Sequence, residues 1–348
     1  MRAGVQKKAG YGKERELFQK FQVQKFLGKG SYGSVYRVKR ISDDLIYAVK
    51  ELDVSKMSQV EKMDAVNEIR LLASIKHANV VNYHEAFIDG HWLCIIMEYA
   101  TNGDLARFIK KGAELKKPFP EDIIWKFFIQ VCSGVQVLHQ NQIIHRDIKP
   151  MNVFVGDNDI VKVGDLGIAK KLKGGLAHTQ IGTPHYMPPE IWKNRPYSSA
   201  CDLWSLGCLL YEMMTYRVPF EARSINELRI KVSSGRYTPL PVGRYSKELT
   251  TLCQSLLDLS PHKRPPLEKI LGSPIVTGKL HLLPREAPAR RRSDDGTDVI
   301  NTIKVPRDMR QLKGKLPPAQ YKSDKGLPPV KKAGEPSGAD GRRRLTFS

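Results

Sequence analysis

The sequence lacks the long apolar segment that would carry the chain across a membrane. No apolar run approaches the ~20 residues that a membrane-spanning helix needs. The N-terminus has no apolar signal segment, and Arg2 stands where myristoylation would need a glycine. We therefore expect a soluble cytoplasmic protein with no membrane span.

Cysteine is scarce, and its copies show no ligand spacing. Each of the 5 cysteines stands among apolar neighbours, and no Cys-x-x-Cys pair occurs. Zinc sites and disulfide frameworks usually show such pairs, so neither is predicted. We expect small buried hydrophobic side chains in a reducing compartment at Cys94, Cys132, Cys201, Cys208 and Cys253.

Acidic residues are few relative to basic ones, and the formal net charge is +21. Residues 276–348 hold 17 Lys or Arg against 8 Asp or Glu and supply only +9 of that total, so the excess is spread. Such charge suits nucleic acid, an anionic membrane surface or an acidic polymer such as a microtubule. No zinc-finger or RNA-binding signature accompanies it, so no specific nucleic-acid partner is predicted. A microtubule or other acidic partner of the basic arms stays open.

Composition divides the chain into three parts. Residues 1–20 are polar and basic and are expected to form an arm, whereas residues 21–275 carry the apolar periodicity of a folded domain. Residues 276–348 are basic and rich in Pro and Gly, which predicts a largely disordered tail. Its clearest apolar segments, 302–306 and 316–318, are candidates to dock back on the domain or on a partner. No coiled-coil heptad is present, and a monomer is expected.

Polar side chains are concentrated between apolar runs at residues 144–152 and 163–167. The flanking runs predict a helix end and two short buried strands, so these polar residues lie on loops held by the core. Two carboxylates, a lysine and a carboxamide form the set that phosphoryl transfer needs.

We assign a role to each of these four side chains. Asp147 is the expected base, Lys149 the phosphate partner, and Asn152 and Asp165 the metal ligands. Alone, each loop Asp or Asn would be assigned to capping a turn. Together, at this spacing, they favour phosphoryl transfer.

A Gly-x-Gly-x-x-Gly pattern begins at Gly28, after a run that predicts a strand. The pattern also opens dinucleotide-binding folds, but those need a helix next, and residues 35–38 favour a strand. A hairpin whose glycine backbone closes over phosphates is therefore predicted.

Lys50 and Glu68 are expected to form an ion pair beside that hairpin. Lys50 lies in an apolar strand, and its ammonium is the expected contact of the α- and β-phosphates. Residues 58–75 predict a helix that begins with a capping box of Ser58 and Glu61 and carries Glu68 beside its apolar face. The alternative for both residues is an ordinary solvated side chain.

These loops resemble those of a known family. His145-Arg146-Asp147 with Asn152, followed by Asp165-Leu166-Gly167, is similar to the catalytic and metal loops of eukaryotic protein kinases. The resemblance covers residues 21–275, and Lys149 with Gly182-Thr183-Pro184 marks the serine/threonine class. It implies an α+β, bilobal protein kinase fold, with a small β-rich N-lobe that has one main helix and a larger, mostly helical C-lobe.

The resemblance also implies ATP and Mg²⁺ as cofactors. Backbone groups of Glu98 and Ala100 would pair with adenine, and Met97 would guard the pocket behind it. The implied ATP-binding residues are Leu27, Gly28, Lys29, Gly30, Ser31, Tyr32, Gly33, Ser34, Val35, Lys50, Met97, Glu98 and Ala100.

Three further expectations concern regulation, acceptor choice and packing. Thr179 lies in a lysine-rich, weakly apolar stretch and is a candidate phosphorylation switch close to Arg146, with a plain loop threonine as the alternative. Ile168 follows the metal-loop glycine, where a β-branched residue implies a preference for threonine as acceptor. In the larger lobe, Asp202 should accept backbone N–H groups of the catalytic loop, and a Glu190–Arg264 ion pair is expected.

At finer grain, residues 75–81, 85–88, 182–187 and 219–228 are similar to the NIMA-related (Nek) family. That implies transfer of the γ-phosphoryl group of ATP to Ser or Thr hydroxyls of proteins. Cell-cycle, centrosomal, basal-body, ciliary or other cytoskeletal structures are the implied location. The rival is a pseudokinase scaffold that binds cytoskeletal partners through the fold and the basic tail. It predicts damage at the catalytic positions, and the sequence has none.

Overall fold

A computed structural model describes residues 15–29, 33–55, 57–165, 184–284 and 316–321. The side chains of Asp64 and Glu68 lie outside that description, although their backbone is helical. The described chain forms a small lobe built on a β-sheet and a larger, mostly helical lobe. The α+β bilobal fold expected from the sequence is confirmed.

The smaller lobe is a five-stranded antiparallel sheet in the order β1-β2-β3-β5-β4. Helix α2, Gln59–Ser74, packs on the sheet through buried residues such as Ile69. The predicted capping box starts this helix, because Ser58 Oγ accepts from the Glu61 N–H while Glu61 Oε2 accepts from the Ser58 N–H. The strands are β1 Phe21–Lys29, β2 Gly33–Arg40, β3 Ile46–Asp53, β4 Tyr83–Asp89 and β5 Trp92–Glu98.

The end of the expected basic arm is folded onto this sheet. Helix α1, Glu16–Lys20, buries Leu17, and Arg15 forms ion pairs with Glu51 at 2.5 Å and Asp89 at 2.8 Å. The sequence predicts only a polar, basic arm here, because the acidic partners of Arg15 stand 36 and 74 residues further along the chain.

One strand lies later than the sequence suggested. The sequence Val80-Val81-Asn82-Tyr83 favours a strand, but β4 begins only at Tyr83. Val80 instead makes an isolated parallel bridge to Val163, and the Val81 N–H donates to the Val163 carbonyl at 2.9 Å. This apolar stretch therefore joins the smaller lobe to the strand that leads to Asp165.

The larger lobe is organised around two helices that are buried on most sides, α4 (Glu121–Gln140) and α6 (Ala200–Thr215). Two short strands, β6 Val153–Val155 and β7 Val161–Val163, pair antiparallel and carry the catalytic loops, as predicted. The expected Glu190–Arg264 pair is confirmed, with two contacts of 2.7 and 2.8 Å. The helices are α3 Leu105–Glu114, α4 Glu121–Gln140, α5 Pro189–Trp192, α6 Ala200–Thr215, α7 Ile225–Ser234, α8 Lys247–Leu256, α9 Leu267–Leu271 and α10 Pro274–Thr277.

Helix α10 crosses the boundary drawn from the sequence at residue 275. Val276 is buried, and Leu282 and Leu283 pack against the core, so folded chain continues to residue 284. Residues 316–321 lie against the smaller lobe.

All five cysteines fall within the described residues and are free and buried, as predicted. Of the helices described, none is long and apolar enough to span a membrane.

Substitution by alanine should destabilise the protein at one glycine of this hairpin and have little effect at another. A Cβ at Gly33 would overlap the Glu51 carbonyl in β3, whereas a Cβ at Gly28 would meet nothing within 4 Å. We expect Gly33→Ala to lower the free energy of unfolding by roughly 1–3 kcal/mol or more. Gly28→Ala is the matched control and should stay within about 0.5 kcal/mol of the parent protein. Urea unfolding without nucleotide measures both, and equal effects would contradict the steric argument.

Candidate active site

The catalytic loop is shaped by one buried carboxylate, that of Asp202 in the first turn of α6. Its side chain has 0% of its surface exposed, and its oxygens accept the main-chain N–H groups of His145 and Arg146, both at 2.9 Å. A third contact of 2.8 Å joins Asp202 Oδ2 to His139 Nε2 in the last turn of α4. The expected role of Asp202 is confirmed. Because a buried carboxylate needs hydrogen-bond donors, it fixes the position of the loop whose N–H groups supply them.

Arg146 takes a backbone conformation that few residues with side chains adopt. Its φ is 64°, in the left-handed region, and the bond from its N–H to Asp202 compensates for that conformation. Its guanidinium carbon lies 5.4 Å from the ring centroid of Tyr197. Thr179, the residue expected to face Arg146 when phosphorylated, lies outside the described residues.

His145 connects the catalytic loop to the metal loop. It is 1% exposed, its Nδ1 accepts the Asp147 N–H at 3.2 Å, and its Nε2 lies 3.1 Å from the Gly164 carbonyl. These two partners assign the neutral tautomer with the proton on Nε2. Sequence reasoning missed the positioning roles of His145 and His139, because a histidine beside apolar residues carries no local signal for its partner.

The predicted base, phosphate partner and one metal ligand lie together. Lys149 Nζ donates to Asp147 Oδ2 at 3.0 Å, and Asn152 Nδ2 donates to the same oxygen at 3.1 Å. Asn152 Nδ2 also donates to the Asp147 carbonyl at 2.8 Å. The Asp147 carboxylate is thus oriented by two side chains of its own loop.

The second carboxylate, Asp165, lies opposite Lys50. Lys50 Nζ on β3 is 2.5 Å from Asp165 Oδ1. Withdrawal from water alone would raise the pKa of Asp165, but the Lys50 ammonium, with a smaller contribution from Lys149, lowers it below the ordinary value. The predicted partner of Lys50, Glu68, has its backbone in α2 and its side chain outside the described set.

The donor set suits a hard divalent cation. The Asn152 amide nitrogen donates toward Asp147, which leaves the Asn152 Oδ1 oxygen to accept, and the lowered pKa keeps Asp165 ionised. Carboxylate and amide oxygens are ligands that Mg²⁺ prefers. The Gly164 N–H donates to the Asn152 carbonyl at 3.0 Å, so the backbone joins the two candidate ligands.

The described residues among those expected around the nucleotide lie on β1, β2, β3 and β5, except Ala100, which comes two residues after β5. Leu27, Gly28 and Lys29 end β1, residues 33–35 begin β2, and residues 30–32 lie outside the described chain. Met97 is half-buried and pairs with Ala48 of β3 across the sheet.

The link between the lobes also limits which groups can meet the adenine base. The Glu98 N–H already donates to the Asn82 carbonyl at 2.9 Å, and the Glu98 carboxylate contacts Asn82 and Lys162. The main-chain N–H and the carboxylate of Glu98 are thus both bonded within the protein. Ile168 lies within residues 166–183, outside the described chain.

Comparison with known proteins gives the family. Residues 21–276 match the protein kinase domain. The chain belongs to the protein kinase family. Within that family it is a member of the NIMA-related (Nek) group, being 35% identical over 302 residues to the human serine/threonine-protein kinase Nek2, over 82% of this chain and 68% of that protein.

Other Nek kinases are similar over shorter shares of their length. A probable serine/threonine-protein kinase nek2 of Dictyostelium discoideum is 39% identical over 266 residues, which is 75% of this chain and 63% of that protein. The mouse serine/threonine-protein kinase Nek3 is 38% identical over 297 residues, which is 84% of this chain and 56% of that protein. The chain thus spans less than two thirds of the length of these two relatives.

The Lys50–Asp165 pair should make the stability of this kinase depend on pH. Because the folded protein lowers the pKa of Asp165, the contribution of the pair is present above the ordinary carboxyl pKa of about 4. It is lost as the pH falls through the lowered value. We expect Asp165→Asn to lower the free energy of unfolding near pH 7, measured in the absence of nucleotide. The loss should be at most ~1 kcal/mol, because the Asp165 side chain of this pair is exposed to solvent, which weakens the attraction.

Urea unfolding at a series of pH values checks this, and the difference between the two proteins should shrink below about pH 4. In a Lys50→Met background the Asp165→Asn change should cost less. A difference that is independent of pH would contradict the ionic origin.

Proposed function

We propose that the chain is an active, ATP-dependent serine/threonine protein kinase. It transfers the γ-phosphoryl group of ATP to Ser or Thr hydroxyls of proteins. The observation that carries the proposal is a chain of hydrogen bonds: Lys50 of the smaller lobe pairs with Asp165, Gly164 bonds to Asn152, and Asn152 and Lys149 both bond to Asp147. The family assignment supports it, and the sequence retains each of the residues that a pseudokinase scaffold would be expected to have lost.

Asp147 is the proposed base, since its carboxylate is oriented by Lys149 and Asn152 and can accept the proton of an incoming hydroxyl. As the nucleophile attacks, Lys149 balances negative charge on the transferred group. Asn152 and Asp165 would hold Mg²⁺, which when bound neutralises charge on the phosphate oxygens.

Lys50 has a second proposed partner. Its ammonium is paired with Asp165 and is also the proposed contact of the ATP phosphates. We assign Glu68 of α2 to hold Lys50 in its phosphate-bound position. The proposed nucleotide site consists of residues 27–35 with Lys50, Met97, the Glu98 carbonyl and the Ala100 backbone.

Regulation and acceptor choice follow from the sequence. Thr179 is the proposed activating phosphorylation site, with Arg146 as a partner for its phosphate, which would carry about −1.5 to −2 charges. Ile168 is the proposed determinant of a threonine preference.

The cellular setting is proposed from the similarity to Nek kinases. We propose substrates on cell-cycle, centrosomal, basal-body or ciliary structures and a cytoplasmic or cytoskeletal location, which the resemblance to the Nek family implies. The net charge of +21 supports contact with an acidic polymer such as a microtubule. We propose a monomer.

Asp147→Asn should remove the proposed proton acceptor and leave nucleotide binding intact. Radiolabelled phosphate transfer to a generic protein substrate should fall by at least ~10²-fold, the usual contribution of a positioned base. Asp157→Asn, which alters an exposed carboxylate bonded to Thr101, is the matched control and should keep its activity. Binding of a fluorescent ATP analogue should persist in both variants. Transfer at the parent rate by the Asp147 variant would refute the assignment.

The acceptor preference can be tested with two peptides that differ only in Ser or Thr at the phosphorylated position. We expect a higher kcat/KM for the threonine peptide, because the β-branched Ile168 side chain favours it. Ile168→Phe should reduce that preference. A clear serine preference of the parent kinase would contradict the role of Ile168.

A further inference from the structure

Residues 316–321 lie against the smaller lobe, although residues 285–315 separate them from the rest of the described chain. The Gln320 N–H donates to the His84 carbonyl at 2.5 Å, and the Gln320 carbonyl lies 3.0 Å from His84 Nδ1. Both main-chain polar groups of Gln320 are therefore bonded to a single residue of β4. One bond is main chain to main chain and the other runs to the His84 side chain, and together they hold the segment against β4, an edge strand of the sheet.

Tyr321 is held by four side chains from three strands. Its ring stacks on His84 with an interplanar angle of 3° and meets Tyr47 edge-on at 5.4 Å. The Arg40 guanidinium carbon lies 3.4 Å from the ring centroid, and the Tyr321 hydroxyl donates to Glu85 Oε2 at 2.7 Å. The site thus contacts the faces, edge and hydroxyl of a tyrosine, the combination that distinguishes tyrosine from phenylalanine and leucine.

Burial, followed by the nearby Glu85 carboxylate, raises the pKa of the Tyr321 hydroxyl. The hydroxyl is therefore a donor at neutral pH. The other Glu85 oxygen, Oε1, accepts from Lys20 Nζ of α1 at 2.6 Å. One carboxylate thus joins the N-terminal helix, the sheet and the tail.

The segment also reaches the end of α2. Gln320 Nε2 donates to the Ala73 carbonyl at 3.3 Å. Ala73 is in the last turn of the helix, where carbonyls have no partner within the helix. Upstream, the Pro317 carbonyl accepts from the Tyr83 hydroxyl at 3.2 Å, and Leu316 packs against the main core.

We propose that residues 316–321 are a built-in peptide ligand of the smaller lobe, recognised through Tyr321, and that their docking positions α2 for catalysis. The helix that the segment caps carries Glu68, so the second part rests on the proposed kinase function. Tyr321 is then a positioning residue, which acts through α2.

The occupant of the site is the chain's own tail. The 31 intervening residues can extend to roughly 100 Å, enough to reach the site from residue 284. A tether of this kind holds a ligand at an effective concentration of about 1 mM, so a free peptide competes poorly with it.

Hydrogen exchange on the full-length chain tests the docking. Tyr321→Ala should make the amides of residues 73–75 and 83–85 and the Gln320 amide exchange at least ~10-fold faster. Tyr321→Phe, which keeps the ring contacts and loses only the bond to Glu85, should show a smaller change. Ala319→Ser alters an exposed residue of the same segment and is the matched control. Unchanged exchange in the Tyr321→Ala variant would overturn the docking.

Peptide binding tests the site itself. A fluorescent peptide of residues 312–324 should bind full-length Tyr321→Ala, whose own tail no longer occupies the site, and at tens of micromolar should not bind the parent chain. The same peptide with alanine at position 321 should bind neither. Equal binding to parent and variant would overturn recognition by this site. Sedimentation should give monomers for both, and a parent dimer that Tyr321→Ala dissociates would overturn docking within one chain.

Phosphate transfer tests the link to catalysis. Tyr321→Ala should lower kcat/KM for ATP several-fold, Tyr321→Phe should lose less, and the free peptide should restore the Tyr321→Ala variant. If the parent chain were inactive, the kinase proposal would fail, but the hydrogen-exchange and peptide-binding experiments would still test the docking. If Tyr321→Ala lost docking and kept full activity, the positioning role would be overturned alone.

Discussion

The catalytic apparatus depends on a carboxylate that water does not reach. A carboxylate buried in the interior needs a full set of donors, and two of those that Asp202 has are the main-chain N–H groups of His145 and Arg146. Meeting that requirement turns Arg146 into the left-handed region and fixes where the chain enters Asp147. The path of the backbone into the proposed base is thus a consequence of the buried carboxylate beneath it.

The same arrangement extends to the second loop through backbone bonds. The Gly164 carbonyl lies within hydrogen-bonding distance of His145, and the Gly164 N–H donates to Asn152, so the residue before Asp165 is fixed on both sides. Strand β7 is anchored to the stretch before β4 by Val81 and Asn79. Fixed dipoles of this kind cost no reorganisation when charge develops, which is how preorganised sites lower barriers.

The features that can be predicted from the sequence are those whose residues lie close together along the chain. Asp147, Lys149 and Asn152 lie within six residues between apolar runs, and the capping box of α2 spans four. The burial of α1, the later start of β4 and the roles of His139 and His145 were missed. Each depends on a partner far along the chain, as Arg15 does on Asp89, and such pairs leave no periodic signal. The tail was seen only as an apolar segment able to dock, because Tyr321 and Glu85 stand 236 residues apart.

The shared use of Glu85 by both ends of the chain has a practical consequence. A recombinant fragment trimmed to residues 21–276 would follow the bounds of the family match and would lose Lys20 and Tyr321 together. Tyr47, Phe87 and neighbouring apolar side chains now covered by α1 and the tail would then face solvent, beside a carboxylate stripped of both donors. Exposed apolar surface next to an open sheet edge favours aggregation, so poor solubility of such a fragment would reflect the cut and not the kinase.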